Sequence, residues 1–266
     1  MGLAEANEDS LYLGLPCVMG RKKNAILGFL KEKMRKRIFS WETRFLSKAG
    51  KEVLTKSVAQ ALPSYAMSVF LLTKEICASL EGMMAKFWWK AQSNSSNKGV
   101  SWFSWKRLCQ HKHVGGLGFR NLRDYNLSFL GKQGWRLLTK KDTSVERIYK
   151  ARYYPNGSFL QAELGQNPSF IWRSIWEAQD LVRKGARRLI GNGSTVNVLL
   201  DPWLPMDSNP FIVSDHPGLV DTTVSSLMVV GSKLVPLALL VSPPMSSIPT
   251  IDLAINAEDE TETHLT

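Results

Sequence analysis

Apolar residues in the first third of the chain recur at helical intervals. From residue 24 they fall at Ile26, Phe29, Leu30, Met34, Ile38 and Trp41, steps of three and four that predict an amphipathic helix. The rest of that wheel carries Lys31, Lys33, Arg35, Lys36 and Arg37, giving one apolar stripe and a broad basic face. Ahead of it, residues 10–18 read as a short strand with turn residues at Gly14 and Pro16. Behind it, Ser47 is placed as an N-cap, and Val53, Leu54, Ser57, Val58, Ala61 and Leu62 continue a helical stripe that Pro63 stops. A third helix is predicted over 74–90, with Ile76, Leu80, Met83, Met84, Phe87 and Trp88 inward. The polar stretch "AQSNSSNKG" reads as a loop.

Further along, "VSWFSWKRLC" and "GGLGF" read as extended or irregular. Helical spacing returns over 121–139 through Leu122, Tyr125, Phe129 and Leu130, and again over 144–154 and 169–184. "RRLIGNGSTVNVLL" reads as strand, Gly-Asn-Gly turn, strand, closed by "DPWLP". After Pro205 periodicity is lost, and the end, "NAEDETETHLT", is acidic and polar. The expected fold class is mainly α with small β elements (α+β). It comprises a helical bundle, a further helical region ending in a β-hairpin, and a disordered acidic tail over 206–266.

Charge sharpens this division. Residues 1–205 hold 33 Lys and Arg against 15 Asp and Glu, or +18, whereas 206–266 hold one Lys against eight Asp and Glu, or −7. All nine Trp lie at or before Trp203. A body this basic points to a polyanion, either nucleic acid or an anionic membrane face; the alternative is a merely solvated basic surface. Within 21–56 there are twelve Lys and Arg against three Glu. Such a face can follow a phosphate backbone with salt-sensitive, sequence-independent binding. Phe29, Phe39, Trp41 and Phe45 interleave with it and could stack on bases, though Trp41 is assigned to the core. The most apolar tail stretch, "LMVVGSKLVPLALLV", is interrupted by Lys233 and Pro236 and is too short to span a bilayer. The start, "MGLAEANEDS", lacks the features of a signal peptide. Cys17, Cys77 and Cys109 are few and far apart, as expected of reduced thiols. An intracellular location, nucleus or cytoplasm, is expected.

Catalytic constellations are scarce. There is no Asp-Asp pair of the kind two-metal phosphoryl chemistry uses. Cys109, His111 and His113 in "CQHKH" lack the second ligand pair of a zinc site. "GGLGF" matches neither a phosphate loop nor a dinucleotide fingerprint, so its glycines are assigned to tight backbone turns.

In order along the chain stand "YLGLP", "W-x4-LS-x-AGK-x-VL-x-KSV", "ALPSYAMSVFLL", "KFWW", "GGLGFRNLRDYNLSFLGKQGWRLL", "ARYYP", "SFIWRSIW" and "IGNGSTVNVLLDPWLP". This series, over about residues 10–205, resembles the C-terminal part of plant LINE-type (non-LTR) retrotransposon reverse transcriptases, a family also labelled putative ribonuclease H proteins. The resemblance implies that Tyr12, Leu13 and Gly14 correspond to the hairpin gripping the primer end. It also implies that the following helices form the thumb on the primer–template duplex, and that "GGLGF" to "DPWLP" belongs to the connector. Leu199 and Leu200 stand where the family usually has Trp before Asp-Pro-Trp-Leu-Pro. The Asp-Asp motif that would bind Mg²⁺ belongs to a palm upstream of Tyr12, so no cofactor and no catalytic residue are expected in this chain.

The expectation is thus a truncated reverse-transcriptase-related protein. Its regions are a disordered 1–9, a primer-grip-like strand and thumb over 10–92, a connector over 93–205 and the tail. It would bind an RNA/DNA duplex through Arg21, Lys22, Lys23, Lys31, Lys33, Arg35, Lys36, Arg37, Lys48, Lys51 and Lys56, with no polymerase or nuclease activity alone. The alternatives are an interaction module complementing a palm-bearing chain, or a gene fragment without a stable function.

Overall fold

The computed structural model describes residues 11–16, 27–42, 44–90, 100–206, 209–214 and 216–228, with the backbone of 234–235 and 251–252. The chain divides into two compact units, Met1–Leu181 and Val182–Thr266.

In the first unit, β1 (Leu11–Tyr12) and β2 (Leu15–Pro16) form an antiparallel hairpin, Tyr12 opposite Leu15. The two residues at its tip, Leu13 and Gly14, have φ of 51° and 77°. Two positive φ values are what a type I′ turn demands; Gly14 supplies one freely, while Leu13 adopts it against its own Cβ. Leu15 is buried in one cluster with the helices that follow.

Helix α1 (Phe29–Glu42) buries Leu30, Met34, Ile38 and Trp41, the predicted stripe, against α4 (Lys74–Trp89). Trp41 meets the Phe87 ring at 5.5 Å, so its assignment to the core holds. Ser47 caps α2 (Lys48–Leu54) by accepting from the Gly50 N–H. The expected continuous helix to Pro63 is interrupted. Thr55–Ala59 is a π-helical turn, closed where the Gln60 N–H donates to the Thr55 carbonyl at 3.0 Å, and a short α3 (Ser64–Met67) follows.

The chain leaves α3 without regular hydrogen bonding, and buried side chains from later helices satisfy it. Asn126, fully buried on α6 (Leu122–Thr139), accepts from the Leu72 N–H at 2.7 Å and donates to the Met67 and Phe70 carbonyls. Ser174, on α8 (Phe170–Trp176), accepts from the Leu71 N–H. Between α4 and α6 lies α5 (Trp105–Leu108), a single turn capped by Ser104 where an irregular stretch was expected. After α6 come α7 (Ser144–Tyr153) and α8, around Trp172; its ring stacks on Tyr153 at 4.4 Å and 4°, and its indole N–H donates to the Leu164 carbonyl. The predicted helix over 169–184 is two, α8 and α9 (Gln179–Gly185).

The second unit overturns two expectations. No strand forms over 187–200. Asn197 Oδ1 accepts from the Leu199 and Leu200 N–H groups, and Asp201 accepts from the Asn197 N–H and the Arg188 guanidinium. These local side-chain bonds capture the backbone groups a hairpin ladder would need. Nor are the described residues within 209–228 of the expected tail unpacked. Ile212, Leu219 and Val224 share a buried cluster with Val196, Val198 and Trp203, and α10 (Val224–Leu227) begins there. The Val198 N–H donates to Thr222 and the Val224 N–H to Val196. Gly193, at φ 73°, lies so close to Ser225 that a Cβ would come within 2.6 Å of its nitrogen. Farther on, β3 (Leu234–Val235) pairs antiparallel with β4 (Ile251–Asp252). The expected disordered 1–9 lies outside the described residues.

Candidate nucleic-acid interface

The buried stripe of α1 fixes what its other side offers. Lys33, Arg35, Lys36 and Arg37 are exposed and Lys31 is half-buried. Arg35 pairs with Glu32, and the Lys33 ammonium lies 5.1 Å from the Phe29 ring centre. An open groove of about 480 Å³ runs between α1 and α4, lined by Arg35, Phe39 and Glu42 on one side and Ser79, Met83 and Lys86 on the other. Phe39 is exposed there, in a lining that also carries Arg35 and Lys86. Lys86 was not among the residues expected from the sequence; its place opposite Arg35 depends on how two helices pack. Arg21, Lys22 and Lys23 lie outside the described residues. Leu13, at the hairpin tip, is exposed.

Lys48, Lys51 and Lys56 sit differently from the α1 cations. Lys48 donates to the Trp88 carbonyl at 2.9 Å and its ammonium lies over the Trp88 and Trp89 rings. Lys51 is only 9% exposed and donates to the Lys90 carbonyl at 2.6 Å. These two ammoniums meet the carbonyls that the end of α4 leaves without intrahelical partners. Burial lowers the Lys51 pKa, and the Lys48 and Lys90 charges lower it further. Lys56 pairs with Glu52 at 2.6 Å, and Lys112 reaches the same carboxylate at 3.4 Å. The hydrogen bond from Lys56 is the main reason the Glu52 pKa is lowered. Lys48 and Lys51 thus fasten α2 to the end of α4, while Lys56 makes a local pair one turn along and lies 5.7 Å from the Phe119 ring centre.

The other sequence candidates have structural roles. Gly115 and Gly118 have φ of 80° and 67°, and a Cβ on Gly116 would come 1.9 Å from the Gln110 carbonyl oxygen. "GGLGF" is therefore a tight turn that closes on α5, the Leu117 and Phe119 N–H groups both donating to the Leu108 carbonyl. Burial pushes the Cys109 thiol up to about 12 and the Cys77 thiol to about 11, leaving both protonated. His111 and His113 stack at 4.8 Å. Among the described residues no three His, Cys, Asp or Glu side chains are grouped so as to hold a metal ion. Nor is any helix among them long and apolar enough to cross a membrane.

What fold and surface define is a helix-rich protein with one face of α1 given over to cations. The chain is 40% identical to the uncharacterized mitochondrial protein AtMg00310 of Arabidopsis thaliana over 151 residues, which is 56% of this chain and 96% of that protein. It belongs to that protein's family. It is also 27% identical, over 219 residues and 79% of its length, to the putative ribonuclease H protein At1g65750 of the same plant. It spans about a third of that longer protein, 34%. No family model matches the chain. No solved structure matches it either.

Proposed function

We propose that the chain derives from the thumb and connector of a LINE-type retroelement reverse transcriptase, and that it grips the backbone of an RNA–DNA duplex without reading sequence. The observation that carries this is the division of α1, whose apolar side is buried while Lys33, Arg35, Lys36 and Arg37 remain at the surface. The β1–β2 hairpin supports it, since Leu15 packs into the same core as α1. So does the similarity to the putative ribonuclease H protein, which covers most of this chain.

The mechanism is electrostatic. Each phosphate neutralised releases condensed counterions, so affinity falls with salt at about 0.9 log units per log unit for each contact. Four phosphates held by Lys33, Arg35, Lys36 and Arg37 give a fall of about two decades between about 50 and 200 mM salt. The 266 residues contain no Asp-Asp pair, so the reading assigns this chain a grip and no polymerase chemistry of its own. Fluorescence anisotropy of a labelled RNA–DNA primer–template with the full chain tests it. Binding with that salt dependence supports the grip, whereas a folded protein that does not bind at low salt refutes it.

A second reading, a module that completes a palm-bearing chain, is favoured by the exposure of Phe39, Phe45 and Val53 in the first unit. It is distinguished by recovery of a palm-bearing reverse transcriptase with the tagged chain.

A further inference from the structure

Residues 82–123 hold eight Lys and Arg and no Asp or Glu, and they are interleaved with aromatic rings. Most of those rings pack together. Trp105 stacks on Phe119 at 5.0 Å and 11°, Trp88 meets Phe119 edge-on at 5.5 Å, and Trp89 lies 6.4 Å from Phe103. Trp102 takes no part. It is 75% exposed and makes no hydrogen bond or ring contact among the described residues.

The residues that follow it in the chain include exposed cations, Lys106 and Arg107. The next residue, Phe103, is itself exposed, and the Arg107 guanidinium lies 4.7 Å from its ring centre. Lys106, on the single turn of α5, is exposed and lines an open groove of about 410 Å³ with Gln110, Arg120 and Tyr125. In the same lining the Arg120 guanidinium stacks 4.3 Å over Tyr125. Asp124 is the one carboxylate in the lining.

An exposed indole, next in the chain to a ring that carries an arginine and four residues before an exposed lysine, offers the two parts that single-stranded nucleic acid uses: a flat apolar face for a base and positive charge for the flanking phosphates. We propose that Trp102, with Phe103 beside it, is a stacking platform for an unpaired nucleobase, and that Lys106 and Arg120 take the neighbouring phosphates. Single-stranded nucleic acid then has a surface of its own, separate from the duplex-gripping face of α1. The proposal shares with the α1 reading only the class of ligand. The occupant is identified by charge complementarity: the exposed Lys106, Arg107 and Arg120 attract a polyanion, and a stacked ring tolerates any base.

The test uses the full chain with two labelled probes, an oligothymidylate of about 20 nucleotides, ample for sites of this kind, and a blunt RNA–DNA duplex. Trp102→Ala is expected to weaken oligothymidylate binding by about fivefold to 150-fold, the effect of losing one stacked base. Duplex affinity stays unchanged, and Trp102→Phe restores most of the loss. Lys106→Gln, a change at an exposed side chain, lowers the salt slope for the single strand by roughly one. The proposal is overturned if Trp102→Ala leaves single-strand affinity unchanged, if both probes weaken equally, or if the wild-type chain does not bind the single strand. Loss of duplex binding alone, with the Trp102 effect intact, refutes the α1 reading and leaves this one standing.

Discussion

Lys51 shows how one residue type divides between two roles. It and Lys36 are both lysines on basic helices, yet Lys51 is buried against the carbonyl of Lys90 while Lys36 is exposed. Because burial lowers its folded pKa below the ordinary 10.5, the native state binds fewer protons than the unfolded chain as pH approaches that value from below. Stability contributed through Lys51 therefore rises with pH across that window. Denaturant titrations of wild type and Lys51→Met are expected to show a stability difference that grows in favour of wild type as pH rises toward 10.5. A difference flat in pH would show that Lys51 is solvated in the native state. Asn126 is the other residue on which the first unit depends. Asn126→Leu strands the Leu72 N–H and the Met67 and Phe70 carbonyls in the core, and a loss of about 3 kcal/mol or more is expected from chemical denaturation. A loss below about 1 kcal/mol would mean those groups find other partners.

At the level of elements, legibility followed capping and period. The helices over Lys74–Trp89 and Leu122–Thr139 were readable because each buries an apolar stripe at helical spacing, and each also starts behind a side-chain cap, Thr73 and Asn121. The type I′ hairpin was half readable: Gly14 signals a turn, but nothing in the sequence says that Leu13 accepts positive φ. The π-helical turn at Thr55–Ala59 was not legible: the stripe expected over 53–62 leaves Val53, Ser57 and Ala61 exposed, and Thr55, Ala59 and Gln60 are buried instead. The hairpin expected over 187–200 failed for a local reason, the capture of its backbone by Asn197 and Asp201. For the candidate interface, the α1 face could be read from its stripe. The fates of Lys48, Lys51 and Lys56 could not, because they depend on where the C-terminal end of α4 comes to lie. Lys86 and Trp102 were missed for the same reason: partnership and exposure are tertiary properties.

For the whole molecule, the change of composition at Pro205 is not a structural boundary. Trp203 donates to the Val198 carbonyl inside a cluster that residues 212–224 complete. A chain ending at residue 228 is expected to keep a protected second unit in hydrogen exchange, whereas one ending at 205 loses protection at Val196, Val198 and Trp203. Equal protection in both would show that the later residues only rest on a finished core. The charge asymmetry still has a consequence, since it places the cations of the proposed grip in the first unit and the acidic end beyond it. The measurement that bears most directly on the grip is the salt dependence of RNA–DNA duplex affinity for wild type and for a triple variant, Lys33→Gln, Lys36→Gln and Arg37→Gln. If α1 holds the phosphates, the slope of log affinity against log salt falls by about three in the variant. An unchanged slope in a variant that melts like wild type would mean that the basic face of α1 is solvated surface and that any nucleic acid is held elsewhere.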